Sequence, residues 1–90
     1  MRYKSAFAFE TIQVLDKPVG LLDAGEEAFM TLQGSDIRYR YDGGEPTQIE
    51  GHLLISGNSI RLHGMNQVNR FRAISVTDKE GILSVSHERD

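Results

Sequence analysis

Two pairs of arginines are the residues of this sequence whose type and spacing most readily suggest chemistry. Arg38 and Arg40 are two positions apart, and so are Arg70 and Arg72. Because residues i and i+2 of a β-strand lie on one face, each pair is predicted to project from one side of a sheet. Planar guanidinium groups pair well with carboxylates, which predicts a face for an acidic partner. The other interpretation is a solvated face balanced by nearby acidic residues, where each surface pair contributes about 0–1 kcal/mol.

The other reactive side chains form no catalytic or metal-binding pattern. Asp36 and Asp42 flank one predicted strand and should be ~20 Å apart, whereas glycosidase carboxylates need about 5–10 Å. The chain lacks cysteine, and its histidines, His52, His63 and His87, lack the short spacing of metal ligands. No serine lies in a G-x-S-x-G elbow, and no glycine-rich loop opens a helix. We therefore expect a protein that is not an enzyme and binds no metal or cofactor.

A strand and a turn position the first arginine pair. Apolar and charged residues alternate here, which predicts a half-buried strand with Ile37, Tyr39 and Tyr41 facing inward and both arginines outward. Glycine after aspartate allows the positive φ of a tight reversal, and proline then disfavours a central strand. The residues of this predicted structural turn are Asp42, Gly43, Gly44, Pro46 and Thr47. Asp42 is expected to cap the turn by accepting hydrogen bonds from nearby backbone N–H groups.

The rest of the chain has a similar pattern of short strands separated by turn residues. About seven strands are predicted, with turn signals every 8–12 residues, as in a β-sandwich or small barrel. They cover residues 3–15, 28–33, 37–41, 49–55, 60–63, 70–76 and 82–86. No helical stripe of ten residues or more is present. The sequence predicts one all-β domain, residues 1–90, which is a single small β-sandwich or barrel of antiparallel strands, with a frayed charged tail at residues 87–90.

Composition excludes several classes of partner. Ten basic and thirteen acidic residues give a net charge of −3, whereas nucleic-acid binding usually requires a basic excess. The aromatic residues beside the arginines are predicted to face inward, which leaves no platform for stacking bases. No apolar run approaches the ~20 residues of a membrane helix. We therefore expect no nucleic acid and no membrane as partner, and the absence of cysteine suits folding in a cytoplasm.

Residues 36–86 resemble small all-β structural proteins encoded in the virion-gene blocks of tailed bacteriophages. The shared motifs are I-R-Y-R-x-D-G-x-x-P-T, G-H-L-L, I-x-L-x-G, F-R-A-I and G-x-L-x-V. In this chain they occupy residues 37–47, 51–54, 60–64, 71–74 and 81–85. The resemblance covers a little over half of the chain. It implies a virion location as a capsid decoration (cement) protein, head fibre or tail accessory protein, assembled in the host cytoplasm. The implied partners are copies of the chain itself and a major capsid or tail protein.

The core of the first motif, Y-x-x-D-G-x-x-P-T, also resembles an immunoglobulin-like module appended to chitobiase-type glycoside hydrolases. That resemblance implies a module that binds carbohydrate or a cell surface through exposed aromatic rings. The chain has no tryptophan, and Tyr39 and Tyr41 are predicted to face inward. The carbohydrate-binding module is therefore the alternative hypothesis.

The first hypothesis is a non-enzymatic virion subunit that reinforces the particle through oligomeric contacts. Cohesion would come from buried apolar surface, arginine–carboxylate pairs and strand edges that pair with neighbours. The face of Arg38 and Arg40 is the expected first contact, and Arg70 and Arg72 are further candidates. The loop at residues 18–27 or the N-terminal strand is the expected second contact.

Overall fold

A computed structural model describes residues 5–22 and 25–89. Residues 3 and 4 of the predicted first strand, residues 23 and 24 of the predicted loop, and residue 90 of the tail lie outside this range. The described residues form seven strands and one short helix. In chain order these are β1 (Ser5–Val14), β2 (Glu27–Gly34), β3 (Ile37–Arg40), β4 (His52–Leu54), β5 (Ser59–His63), α1 (Met65–Arg70), β6 (Arg72–Ser75) and β7 (Gly81–Arg89).

The strands form two antiparallel sheets. The larger sheet has the order β1-β7-β2-β5, and the smaller sheet has the order β4-β3-β6. The long strand β7 pairs with both β1 and β2, and β3 pairs with both β4 and β6. The prediction of a small all-β sandwich is confirmed.

Alternation along the strands builds the core between the two sheets. In β7, Leu83 and Val85 are buried while Ser84 between them is half-buried, and in β2 the buried residues are Ala28, Met30 and Leu32. Burying a large aliphatic side chain of this kind stabilises a fold by about 1.5–3 kcal/mol. The period-two pattern of the sequence therefore determines which face of each strand is buried.

The predicted frayed tail is wrong for residues 87–89. They continue β7, where His87 lies opposite Ala8 of β1 and Ala28 of β2 and is completely buried. Residues 87–89 belong to the strand because β7 is paired on both sides and His87 continues the buried row of Leu83 and Val85.

No helix is predicted between the strands expected at residues 60–63 and 70–76, but α1 lies there. The helix follows Gly64, whose φ of 90° is accessible mainly to glycine, and it buries only Val68. A six-residue helix with one buried side chain leaves no periodic stripe for sequence analysis to detect.

Candidate functional site

The turn after β3 encloses the guanidinium group of Arg40. Its Nε and Nη2 atoms donate to the two carboxylate oxygens of Asp42 at 3.1 and 2.8 Å. The N–H of Gly44 donates to the same carboxylate at 3.1 Å, so Asp42 also caps the turn. A Cβ atom on Gly44 would lie 2.5 Å from Arg40 Cζ, so a larger residue at this position would displace the guanidinium group. Arg40 and Asp42 thus form a bidentate pair at the end of β3.

This arrangement favours the charged forms of both groups. The Arg40 hydrogen bonds, followed by the one from Gly44, lower the pKa of Asp42 to about 2 from an ordinary value of 3.8. The carboxylate in turn raises the pKa of Arg40. The acidic partner of this arginine is therefore in its own turn.

Arg38 is held by backbone carbonyls rather than by acidic side chains. Its Nε donates to the carbonyl oxygen of Gln48 at 3.1 Å, and its Nη1 donates to that of Gly51 at 3.0 Å. Gly51 directly precedes β4, and its φ of 122° bends the chain there. Arg38 thus fixes the path by which the chain enters β4.

The remaining turn residues brace the same loop. Pro46 is fully buried. The N–H of Thr47 donates to the carbonyl of Glu50 at 3.0 Å, while the Thr47 hydroxyl accepts from Glu50 N at 2.9 Å and from Ile49 N at 3.3 Å. The loop between β3 and β4 is therefore closed by its own hydrogen bonds.

The second arginine pair does not have strand spacing. Arg70 is the last residue of α1, and only Arg72 belongs to β6. In the register of the smaller sheet, Arg72 lies opposite Arg40. Three of the four candidate arginines, Arg38, Arg40 and Arg72, therefore share the outer face of this sheet. Arg72 donates to the carbonyls of Asn69 and Phe71, so it too is engaged by the backbone.

The prediction that Tyr41 faces the core is wrong, because β3 ends at Arg40 and the Tyr41 side chain that follows is exposed. It is 37% exposed. An aromatic series runs outward from buried Phe71 to half-buried Tyr39, with centroids 5.8 Å apart, and then to Tyr41 at 6.3 Å. Tyr41 also stacks with His52 at 5.9 Å and an interplanar angle of 22°. Burial, together with the neighbouring Tyr41, raises the pKa of the Tyr39 phenol.

An open cleft of about 590 Å³ adjoins this pair of rings. Its lining residues are Arg40, Tyr41, Asp42, Glu50, Gly51 and His52. It combines two exposed rings, one arginine and two carboxylates.

A second feature is an exposed apolar edge at β4. This three-residue strand pairs only with β3 among the described residues, so its other side presents unpaired backbone groups. Three aliphatic side chains on the strand and its flanks are exposed: Ile49 by 84%, Leu53 by 49% and Ile55 by 51%. We call residues 49–55 the β4 edge. Unpaired strands with exposed apolar side chains are typical of contact surfaces.

A buried polar pair joins neighbouring strands of the larger sheet, Glu10 on β1 and His87 on β7. His87 Nε2 lies 2.5 Å from Glu10 Oε2, and the second oxygen of Glu10 accepts from Leu22 N at 2.9 Å. His87 Nδ1 is buried with no hydrogen-bond partner among the described residues. Sequence analysis missed this pair. The signal was available, because Glu10 precedes buried Ile12 and Val14 at period two.

The other histidines lie apart from this pair. His63 Nδ1 is 3.6 Å from a Glu27 oxygen, and His52 belongs to the aromatic stack. Within residues 5–22 and 25–89, no three histidine or acidic side chains are placed to hold a metal ion. In the same part of the chain, no helix has the length and apolar character needed to cross a membrane.

No protein-family model, curated protein or solved structure matches this chain.

Proposed function

We propose that this chain is a non-enzymatic structural subunit of a bacteriophage particle, a capsid decoration protein or head–tail accessory protein. It associates with copies of itself and with a neighbouring capsid or tail protein through the β4 edge. The observation that carries this proposal is the exposure of Ile49, Leu53 and Ile55 around a strand with one open side. The resemblance of residues 36–86 to virion proteins supports the same conclusion.

Association at this edge combines two contributions. Covering the three aliphatic side chains removes apolar surface from water, at about 25 cal/mol per Å². A strand added beside β4 also satisfies its free N–H and C=O groups, as in other complexes formed by β-augmentation. The backbone hydrogen bonds of such a contact fix the direction of the added strand, and the side chains select the partner.

The arginines support this contact indirectly. Arg38 anchors the loop that delivers the chain to β4, through the carbonyls of Gln48 and Gly51. Arg40 closes the preceding turn with Asp42. The outer face that they share with Arg72 remains a candidate for contact with an acidic partner, as the sequence predicts.

Incorporation into particles tests the proposal. Epitope-tagged copies of the chain are supplied during infection by the phage that encodes it, and purified particles are assayed for the tag. Wild-type chain should be incorporated in a fixed copy number, and I55K should be incorporated at least about tenfold less, because a charge on an open edge opposes pairing.

M65K is the matched control, because Met65 is 58% exposed but lies on α1, away from the β4 edge. It should be incorporated like the wild type, and circular dichroism should show that both variants are folded. Absence of wild-type chain from purified particles contradicts the virion assignment. Equal incorporation of I55K contradicts the role of the β4 edge.

A further inference from the structure

We propose that the segment of the neighbouring capsid or tail protein that docks on the β4 edge is an extended strand carrying lysine or arginine beside its apolar residues. This inference rests on the contact proposed for the β4 edge and names the chemistry of its partner. Three observations support it: β4 has one open side, the surface at its start is acidic and partly aromatic, and the other edge strands of the chain provide no matching basic segment.

The open side of β4 selects an extended segment. This strand pairs only with β3 among the described residues, so a partner strand can bond to its remaining N–H and C=O groups. Leu54 is buried in the core, whereas Leu53 is 49% exposed and Ile55, directly after the strand, is 51% exposed. The partner strand should therefore present apolar side chains next to Leu53 and Ile55.

The surface at the start of β4 is acidic. Four carboxylates line the open cleft and a second groove along the same loop: Asp16, Asp42, Glu45 and Glu50. Two arginines offset part of this charge: Arg40, which is already bound to Asp42, and half-buried Arg38, which lies opposite Leu53. Glu50 lies two residues before β4, and its exposed carboxylate makes no ion pair among the described residues. The excess of carboxylates favours a basic partner over an acidic one.

The aromatic wall of the cleft also suits a cation. Tyr41 is 37% exposed and stacks with His52 at the start of β4. The face of a tyrosine ring attracts an ammonium or guanidinium group held within about 6 Å of its centroid. A basic side chain on the partner strand can therefore lie between this ring and the Glu50 carboxylate, while its neighbours cover Leu53 and Ile55.

The other edge strands of the chain provide no matching segment. Strand β1 contains no basic residue. Arg61 of β5 is bound by Glu88 and lies 3.6 Å from Glu27, so its charge is already offset. Arg72 of β6 donates to two backbone carbonyls beside its own strand. The basic strand is therefore expected from a different protein and not from a second copy of this chain.

Three synthetic peptides test this inference: acetyl-KTVTVK-amide, acetyl-ETVTVE-amide and a third with norleucine at both ends. Each is titrated into ¹⁵N-labelled chain, and the amide signals of Leu53 and Ile55 report pairing along β4. The basic peptide should bind at least about tenfold more tightly than the acidic one, and the norleucine peptide should lie between them. Raising the NaCl concentration from about 0.05 M to about 0.5 M should reduce the difference to less than about threefold.

Reversal of a single charge locates the effect. E50K should weaken binding of the basic peptide about tenfold, because it places a like charge at the entry to β4. E26K is the matched control, because it makes the same change in net charge directly before β2 in the larger sheet. It should bind the basic peptide within about threefold of the wild type. The dispersed amide signals of each variant show whether it is folded.

Equal binding of the basic and acidic peptides, or an equal loss in E26K and E50K, overturns this inference and leaves the β4 edge as a contact surface. Absence of shifts at Leu53 and Ile55 with all three peptides also overturns it. If the chain alone then forms an oligomer that I55K abolishes, a second copy occupies the edge and the proposed function stands. If I55K retains the wild-type mass as well, the proposed contact at the β4 edge fails together with this inference.

Discussion

At the scale of single residues, the chain uses its arginines to hold its own backbone. Arg38 binds two carbonyls, Arg72 binds two more, and Arg40 binds a carboxylate two residues away. Arginine suits this task because its fork of donors is planar and always charged. A candidate contact residue can therefore be essential to a binding surface without touching the partner.

Acid titration tests the pair of Arg40 and Asp42. The pKa of Asp42 is lowered in the folded chain, so the pair stabilises the fold fully above pH 3.8, and this contribution is lost as the pH falls toward 2. In R40Q, the pKa of Asp42 should rise toward 3.8. The measurement is the ¹³C chemical shift of the Asp42 carboxyl carbon as a function of pH.

K79Q is the control for this titration, because Lys79 lies in the distant turn between β6 and β7. It should leave the Asp42 midpoint unchanged. A wild-type midpoint near 3.8, or no change in R40Q, contradicts the pairing described for this turn.

At the scale of elements, the loop between β3 and β4 determines where the β4 edge lies. Thr47 closes the loop through Glu50, and Arg38 fastens its end at Gly51. A Cβ atom built on Gly51 would lie 3.1 Å from the carbonyl oxygen of Tyr39, so a larger residue at this position would displace the loop. The β4 edge is thus positioned by Arg38 and Tyr39 of the neighbouring strand β3.

Replacing Arg38 with methionine should loosen this loop and leave the core intact. The carbonyls of Gln48 and Gly51 lose their donor, and the free energy of unfolding should fall by about 1 kcal/mol. Amide hydrogen exchange at Thr47 and Glu50 should become faster, because their hydrogen bonds hold the same loop. Both effects are measured by hydrogen exchange and urea denaturation.

R70M is the matched control, since Arg70 makes no hydrogen bond or ion pair among the described residues and ends α1. It should leave exchange in the loop unchanged. Unchanged exchange in R38M as well would show that the arginine does not position the loop.

The elements differ in how far the sequence predicts them. Strand β3 is predictable because Ile37 and the residues around it alternate strictly and a turn motif follows. The inward orientation predicted for Tyr41 is wrong because alternation gives the side of a strand but not the residue at which the strand ends. The pairing of β7 between β1 and β2 joins distant residues, and no local pattern specifies it. In the sequence, His87 stands in a charged tail, and only its pairing with Glu10 explains why it is buried.

The candidate sites also differ in whether they depend on local sequence or on the pairing of distant strands. The turn chemistry of Asp42 and Gly44 is local and is visible in the sequence. The exposed cleft requires β3 and β4 to be adjacent, since Tyr41 directly follows β3 and His52 begins β4. The β4 edge can be identified only when it is known which strand lacks a neighbour. Local chemistry is therefore predictable here, whereas exposed surfaces are not.

At the scale of the whole molecule, the sandwich exposes apolar side chains on two different edges. One is the β4 edge, and the other lies along β1 and the following loop, where Phe9 and Leu22 are exposed. The loop contact expected from the sequence includes Leu22. Two different surfaces on one subunit permit head-to-tail contacts, which close into rings when the rotation allows.

The most direct test of the β4 edge is the mass of the purified chain in solution, measured by light scattering at several concentrations. We predict a discrete oligomer for the wild type and for M65K, and a monomer for I55K at the same concentrations. A wild-type chain that remains monomeric throughout, or an I55K chain that retains the wild-type mass, would contradict self-association through this edge.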